Sequence, residues 1–336
     1  MSTILSLFFV FLLNSAGFCA KSPRLHHSSF DKRRFFGIIP ISMEHTIELD
    51  APCKINLHLR VLDRRDDGFH SIESIFQMIS LCDRIVLHRM DSPGECEIDC
   101  PRFDLPPVNT VSRAVDLFRD TTGIRDGIHV VLDKQIPAGA GLGGGSTDAA
   151  AVLAGLNRLF SAGLGADDLH ALACGIGSDV PFFLGSPAAL VTGRGEARQA
   201  LEPRTDVYGI LIWPGIHSGT ADAYAAVDAW KTGHPDAGHG MPDPDELAGI
   251  YAGPLDGWTR FGNSFSAPIM ERYPAIRSVQ RELYDAGALY AEMSGSGSSV
   301  FGLFGDKKES ERVFSRFSMR RDLCREFLLL AHSPMR

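Results

Sequence analysis

The chain predicts an α+β fold in two domains, on three observations. Its 336 residues exceed what one ordinary core holds, which leaves room for two cores and a cleft. Strand-like and helix-like stretches interleave without regular βαβ spacing. Two glycine-rich loops, within 137–150 and at 294–299, each follow a strand-like stretch. A hydrophobic content of 44% and a charged content of 22% are ordinary for a soluble globular chain.

Residues 1–42 stand apart from that pattern. An apolar run at 4–13 precedes small residues at 16–20, as in a signal-peptide core. No basic residue comes before it, however, and it is short for a membrane span. Residues 21–34 are basic without a core pattern, and Met43 stands directly before the first strand. The expectation is a wrongly assigned start with Met43 as the true one; an export or organelle-targeting leader is the alternative.

Residues 45–49 and 53–62 then read as strands split by Pro52. In the second, Ile55, Leu57, Leu59 and Val61 alternate with Lys54, Asn56, His58 and Arg60. One face therefore packs and the other presents polar groups, with Arg60 expected in solvent. Residues 64–70 form a turn with Phe69 and His70 at its exit. Residues 72–78 and 84–88 read as strands and 109–118 as a helix. Residues 129–136 read as a strand that looks half exposed, because it carries His129, Asp133 and Lys134.

The stretch after that strand organises the chain. Five glycines fall within 139–145, and Ala149, Ala150, Leu153, Leu156, Leu159 and Phe160 follow at helical spacing. Strand, glycine loop and helix start make a phosphate cradle: glycine admits close backbone approach, and the helix N-terminus adds unpaired donors. Ser146 is placed to cap the helix and to face a metal-bound phosphate. Gly139, Gly141 and Gly144 also match the dinucleotide fingerprint, but the exposed strand and the position deep in the chain oppose it. A P-loop requires a lysine before Ser146, where Gly145 stands. A mere flexible turn would carry a large entropic cost for five glycines.

A second helix follows at 166–174. Asp179, ahead of Val180 and Pro181, reads as a helix cap. Strands follow at 188–192 and 196–200, and 207–213 opens the second domain. The 214–220 loop leads into a helix through Trp230. Residues 233–257, rich in Gly, Pro and Asp, read as a mobile excursion with His234 and His239 solvated. A helix at 275–286, strands at 289–293 and 300–304 around the second glycine loop, and a terminal helix and strand complete the chain. Arg320 and Arg321 are expected on a solvated face.

The net charge of −8 opposes a nucleic-acid surface, which needs a basic face. The seven cysteines contain no CxxC pair, so zinc is not expected and scattered thiols suit a reducing compartment. No transmembrane segment occurs in the body, and the expected location is cytoplasmic.

Three blocks now stand together: Ala-Pro-Cys-Lys-Ile-Asn at 51–56, the glycine loop at 137–150, and Ser-Gly-Ser-Gly-Ser at 294–298. In order and spacing they resemble the GHMP kinases, named for galactose, homoserine, mevalonate and phosphomevalonate. Asp-Gly-Phe-His-Ser-Ile-Glu-Ser-Ile-Phe-Gln at 67–77 and Gly-Ser-Asp-Val-Pro-Phe-Phe at 177–183 narrow the resemblance to the 4-diphosphocytidyl-2-C-methyl-D-erythritol kinase family. It runs from about Met43 to near the C-terminus. It implies an N-terminal ribosomal-protein-like α/β domain at 43–205, which binds ATP, and a C-terminal ferredoxin-like domain at 206–336. The active site would lie in the cleft between them.

The resemblance also implies roles. ATP, with Mg²⁺, would phosphorylate the 2-hydroxyl of a cytidine diphosphate-linked polyol in the non-mevalonate (MEP) route to isoprenoid precursors. Asp179 would be the base, and Lys54 would pair with it and steady the transferring group. Pro137, Ala138, Gly139, Ala140, Gly141, Leu142, Gly143, Gly144, Gly145, Ser146 and Thr147 would hold the ATP phosphates. Ser294, Gly295, Ser296 and Gly297 would face the second substrate's diphosphate or brace the first loop. Phe69, His70 and Tyr224 would recognise cytidine, with Asn56 and Thr220 on the substrate's polar groups. No protein ligand for the metal is implied beyond Ser146.

Three departures stand out. Cys53 replaces the family's common Ala and Phe69 its Tyr. Gly-Asn-Ser-Phe-Ser at 262–266 replaces Asn-Asp-Phe-Glu, with the loss of two carboxylates. The alternatives are another GHMP small-molecule kinase, of mevalonate or homoserine type, and a catalytically inactive nucleotide-binding module; intact Lys54 and Asp179 oppose the latter.

Overall fold

The computed structural model describes residues 45–234, 240–319 and 324–335. The expectations for residues 1–42, Met43, His239, Arg320 and Arg321 lie outside the described residues.

Strands β1 (Thr46–Arg64) and β2 (His70–Met90) form one long antiparallel hairpin, with Thr46 opposite His88 and Arg64 opposite His70. The four short strands expected here are therefore two long ones. Pro52 does not end β1. The register shifts between Pro52 and Lys54, and a bulge is where a strand tolerates a residue without an N–H. The hairpin joins β3 (Cys96–Asp99), β4 (Gly127–Asp133), β5 (Ala188–Thr192) and β6 (Ala197–Ala200) in the order β3-β4-β2-β5-β6, with β1 alongside β2. Strand β3 gave no signal, being four residues long with only one of them even half-buried.

Helix α1 (Thr110–Thr122) starts at Asn109, whose side chain accepts from the amides of Val111 and Ser112. It ends at Gly123, which adopts φ +74°. Helices α2 (Gly144–Leu159), α3 (Ala166–Ile176) and the single turn α4 (Val180–Phe183) follow. Helix α2 packs on the hairpin and α1 packs on α2, in a core that includes Leu49, Phe76, Leu87, Val115, Phe118 and Leu153. Full burial of one such side chain contributes about 1.5–3 kcal/mol. The start of α2 is held by the backbone: Gly143 occupies the cap position at φ +70° and no side chain caps it. Ser146 sits inside the first turn and does not cap the helix.

The second sheet is antiparallel, in the order β10-β7-β9-β8, built from β7 (Tyr208–Ile212), β8 (Tyr290–Met293), β9 (Val300–Phe304) and β10 (Cys324–Leu328). Ile210, Ile212, Val300 and Phe304 pack with helices α5 (Thr220–Gly233), α7 (Ser266–Arg272), α8 (Pro274–Asp285) and α9 (Lys307–Ser318). Leu211, Tyr290, Phe301 and Leu303 instead share a cluster with Cys53, Ile55 and Leu57 of β1. One strand thus feeds both sheets' cores.

Residues 233–257 are not a loose excursion over their whole length. Helix α6 (Pro244–Ala252) and a 3-10 turn (Leu255–Arg260) bury Leu247, Tyr251 and Trp258 in the shared cluster. The residues that read as loop chemistry are punctuation here: Asp243 forms a capping box with Glu246, and Pro244 opens the helix. His234 is exposed, as expected, but its ring stacks on Trp230 at 3.9 Å.

Candidate active site

Lys54 and Asn56 leave β1 on its polar side, and that side is buried. Lys54 is 4% exposed, Asn56 1% and His58 0%, and burial pushes His58 down to about 4. Arg60, expected in solvent, is half-buried and lies 3.6 Å from Glu73 and 3.7 Å from Asp243. A strand with cores on both sides has no solvated face at its centre.

The Lys54 ammonium is held from several directions. Nζ donates to Asn56 Oδ1 at 2.6 Å and to the carbonyl of Gly141 at 3.4 Å, and it lies 4.6 Å above the ring of Phe76. Asp179 Oδ2 stands 3.6 Å away. Burial pushes the ammonium below the ordinary lysine value, and Asp179 draws it back up. Asp179 does occupy the cap position of α4, yet its side chain makes no capping bond. The carboxylate is turned to Lys54 and the cleft instead.

The first glycine loop reaches Lys54 from the other side. Its carbonyls are engaged by protein: Ala140 accepts from Ser299 N, Gly141 from Ser294 Oγ and Lys54 Nζ, Leu142 from Lys54 N, Gly143 from Ser146 N and Thr147 N, and Gly145 from Thr110 Oγ1. Its amides are not. From Ala138 to Gly145, eight consecutive N–H groups donate to no described residue. With the N-terminus of α2 at its end, the loop presents a run of unpaired donors, which is what an anion requires.

The second glycine loop braces the first. Ser294 Oγ donates to Gly141 O at 2.9 Å and accepts from Asn56 N at 3.2 Å. Asn263 Nδ2 donates to Met293 O and Gly295 O, each at 2.8 Å. A carboxylate from β8 enters beside this block, where residues 264 and 266 lack one: Glu292 accepts from Ser266 Oγ at 2.6 Å and Met293 N at 2.7 Å. Burial pushes Glu292 up to about 7.

A cavity of about 960 Å³ joins these parts. Residues 137–146 line it with Lys54, Asn56, Phe69, His70, Asp179, Thr220, Tyr224, Gly295 and Ser296. Thr147, Ser294 and Gly297 do not line it; they are buried beneath the two loops. At one end Phe69 is 56% exposed under the guanidinium of Arg194, 5.1 Å from its ring. His70 stacks on Tyr224 at 5.0 Å, and Nε2 of His70 is 2.8 Å from Asp228 Oδ1. Thr220 Oγ1 meets Ser296 Oγ at 3.4 Å. Beside the α2 end of the loop, where Thr110 Oγ1 donates to Gly145 O at 2.7 Å, Leu105, Asn109, Thr110 and Val111 form a further wall.

Beneath the loop lies a group the sequence pattern concealed. Lys134, taken there as a mark of exposure, is 8% exposed and donates to both Asp83 and Asp148. Burial pushes Asp148 up to about 8, with Lys134 drawing it down and Asp83 pushing it further up. Asp83 also accepts from the amides of Gln135 and Ile136, so it fixes the chain's entry into the glycine loop. Asp228 was legible in principle, since it follows Tyr224 by four residues on one helix face.

Comparison with known proteins bears on this arrangement. Residues 109–186 match the family model of the GHMP kinases N terminal domain, and 256–319 that of the GHMP kinases C terminal. The chain is 46% identical over 279 residues to 4-diphosphocytidyl-2-C-methyl-D-erythritol kinase of Treponema pallidum, covering 82% of this chain and 96% of that protein. It is 36% identical over 267 residues to the protein of the same name from Geobacter metallireducens, covering 79% and 92%. Among solved structures, a 4-(cytidine 5'-diphospho)-2C-methyl-D-erythritol kinase superposes with TM-score 0.71 at 32% identity, covering 84% of this chain and 99% of the other. A homoserine kinase from Cytophaga hutchinsonii, at 21% identity and TM-score 0.66 over 87% and 97%, shares the fold.

Proposed function

The chain belongs to the 4-diphosphocytidyl-2-C-methyl-D-erythritol kinases of the GHMP superfamily, and from that premise we propose how its cleft moves a phosphoryl group from ATP to the 2-hydroxyl of 4-diphosphocytidyl-2-C-methyl-D-erythritol. That reaction belongs to non-mevalonate isoprenoid precursor synthesis. The observation that carries the mechanism is the run of eight free amides beside the Lys54–Asp179 pair.

The triphosphate of ATP lies along 138–145, bound through backbone donors, and its nucleoside extends toward Leu105, Asn109, Thr110 and Val111. The cytidyl group lies at the opposite end, on Phe69, His70 and Tyr224, so the two anionic tails converge on Lys54. Asp179 accepts the hydroxyl proton. Lys54, held by Asn56 and touching Gly141, places one positive charge between the hydroxyl and the transferring phosphoryl, where charge develops. The boundary between the two domains falls at residues 205/206, ahead of β7.

Mg²⁺ fits this site as a guest of the nucleotide. Among the described residues no group of three His, Cys, Asp or Glu could hold a metal. The half-buried Ser146 hydroxyl in the cleft would be the protein's oxygen donor, and the phosphates would supply the others. When bound, the ion neutralises charge on the transferring group. No helix among the described residues is long and apolar enough to cross a membrane. The acidic charge opposes nucleic-acid binding, and the proposed location is the cytoplasm.

A substrate panel with the purified chain tests the reading. ATP is converted to ADP with the cytidyl substrate and not with mevalonate or homoserine. Asp179→Asn lowers kcat by about 10²–10⁴-fold while ATP binding persists. Equal turnover of mevalonate, or full activity in the Asn variant, overturns it.

A further inference from the structure

Helix α5 grips His70 in two ways. Tyr224 stacks on the imidazole face at 5.0 Å with an interplanar angle of 16°. One turn further on, Asp228 Oδ1 lies 2.8 Å from Nε2. The two α5 residues are four apart, so they project from the same side of the helix. His70 itself is 8% exposed, and its Nδ1 has no hydrogen-bond partner among the described residues. His70, Tyr224 and Asp228 all line the cavity at the end where Phe69 is exposed.

Elementary donor and acceptor rules turn this geometry into a selectivity. An ionised carboxylate only accepts, so a neutral imidazole beside Asp228 carries its proton on Nε2. Nδ1 is then a lone pair, and it is the polar atom of the ring left for a ligand. A group that meets it must donate. The exocyclic amine of cytosine donates, whereas the oxygen at the same position of uracil only accepts. The Tyr224 phenol keeps its own proton at ordinary pH, because burial pushes it up to about 12 and Asp179 adds to the rise.

We propose that Asp228 is a positioning residue that fixes the Nε2–H tautomer of His70 and so makes the cleft select a cytosine-bearing substrate over its uracil analogue. The proposal rests on the cytidyl-substrate reading above and adds to it a residue that never touches the base. Second partners of this kind set which ring nitrogen a histidine offers.

The test compares the cytidyl substrate with the same compound carrying uridine, in the full chain and in Asp228→Ala and Asp228→Glu. The unmodified chain strongly favours the cytidyl compound. In Asp228→Ala its KM rises about tenfold and kcat stays within about twofold, one lost hydrogen bond being about 1.4 kcal/mol. The cytidyl-to-uridyl ratio of kcat/KM narrows by about the same tenfold factor, and Asp228→Glu restores most of it. Asp228 is half exposed, with a side-chain exposure of 44%, so its removal leaves no cavity in the core. Nitrogen-15 spectra of His70 give a second readout: the proton sits on Nε2 in the unmodified chain and is shared between the two nitrogens in the Ala variant. An unchanged ratio in Asp228→Ala, or a proton on Nδ1 in the unmodified chain, overturns the proposal. A chain that ignores the cytidyl compound altogether and turns over another alcohol overturns the underlying substrate reading instead.

Discussion

The carbonyl oxygen of Ser294 lies 1.9 Å from where a Cβ on Gly141 would stand. Gly141 has φ +78°, so a side chain there is strained by its own backbone as well as by the neighbour. The two glycine loops therefore interlock at a point only glycine can occupy. Gly141→Ala forces backbone apart from backbone and costs about 1–3 kcal/mol of stability. Because the same shift misaligns the free amides, ATP binding weakens as well. Denaturant unfolding and nucleotide titration measure the two effects, and an unchanged midpoint with unchanged ATP affinity would contradict the interlock.

Phe69 behaves in the opposite manner. It is 56% exposed at the cleft's rim, held against Arg194, and contributes little to the core. Phe69→Ala leaves the melting temperature unchanged and raises KM for the cytidyl substrate, with KM for ATP constant. The loss of one ring-on-ring contact is about 0.5–1.5 kcal/mol, or roughly two- to tenfold. A large fall in melting temperature would mean that the ring packs in the fold after all.

Lys134 bonds two buried acidic groups at once, Asp83 and Asp148, and Asp148, pushed up to about 8 by burial, keeps its proton at neutral pH. Lys134→Met strands Asp83 and Asp148 in the core and costs about 3–5 kcal/mol, measured by urea unfolding at neutral pH. Adding Asp83→Asn and Asp148→Asn to the same chain recovers part of that loss. Equal stability of Lys134→Met and the unmodified protein would show the cluster to be solvated.

Glu292 makes stability fall as pH rises. Burial holds its carboxyl at about 7, above the usual glutamate value of 4.5, so the folded chain binds a proton that the unfolded chain has released. The stability this confers is complete below pH 4.5 and is lost as pH rises through 7. Over that window the change is on the order of 3 kcal/mol. Glu292→Gln removes the slope, and its unfolding free energy declines less between pH 5 and 8 than that of the unmodified chain. Parallel curves for the two proteins would rule out this carboxyl as the source.

Much of this cavity was legible in the amino-acid sequence. Lys54, Asp179 and the 137–146 loop lie in local motifs whose residue types state their chemistry, and the structure brings them to one cavity. Local patterns misled where a residue's surroundings come from elsewhere in the chain. Lys134 looked like a surface residue because its partners, at 83 and 148, lie on other elements. Residues 243–252 looked like loop because Asp243 and Pro244 are helix-cap residues, and the buried Leu247 and Tyr251 gave too short an apolar pattern. The carboxylates missing from 262–266 could not have been traced to Glu292, which approaches from a strand some thirty residues away in sequence.

Amino-acid order alone picked out the residues proposed to carry chemistry, because glycine at the cradle, an ammonium and a carboxylate follow from side-chain type and spacing. It also settled most elements, since period and punctuation are local. Only the folded chain decided which partners those residues meet: that Lys54 lies between Asp179 and Gly141, that Ser294 lies against the first loop, and that Asp228 takes one nitrogen of His70. The reason is that burial and hydrogen-bond pairing depend on distances between segments far apart in the chain, and no local spacing encodes those distances.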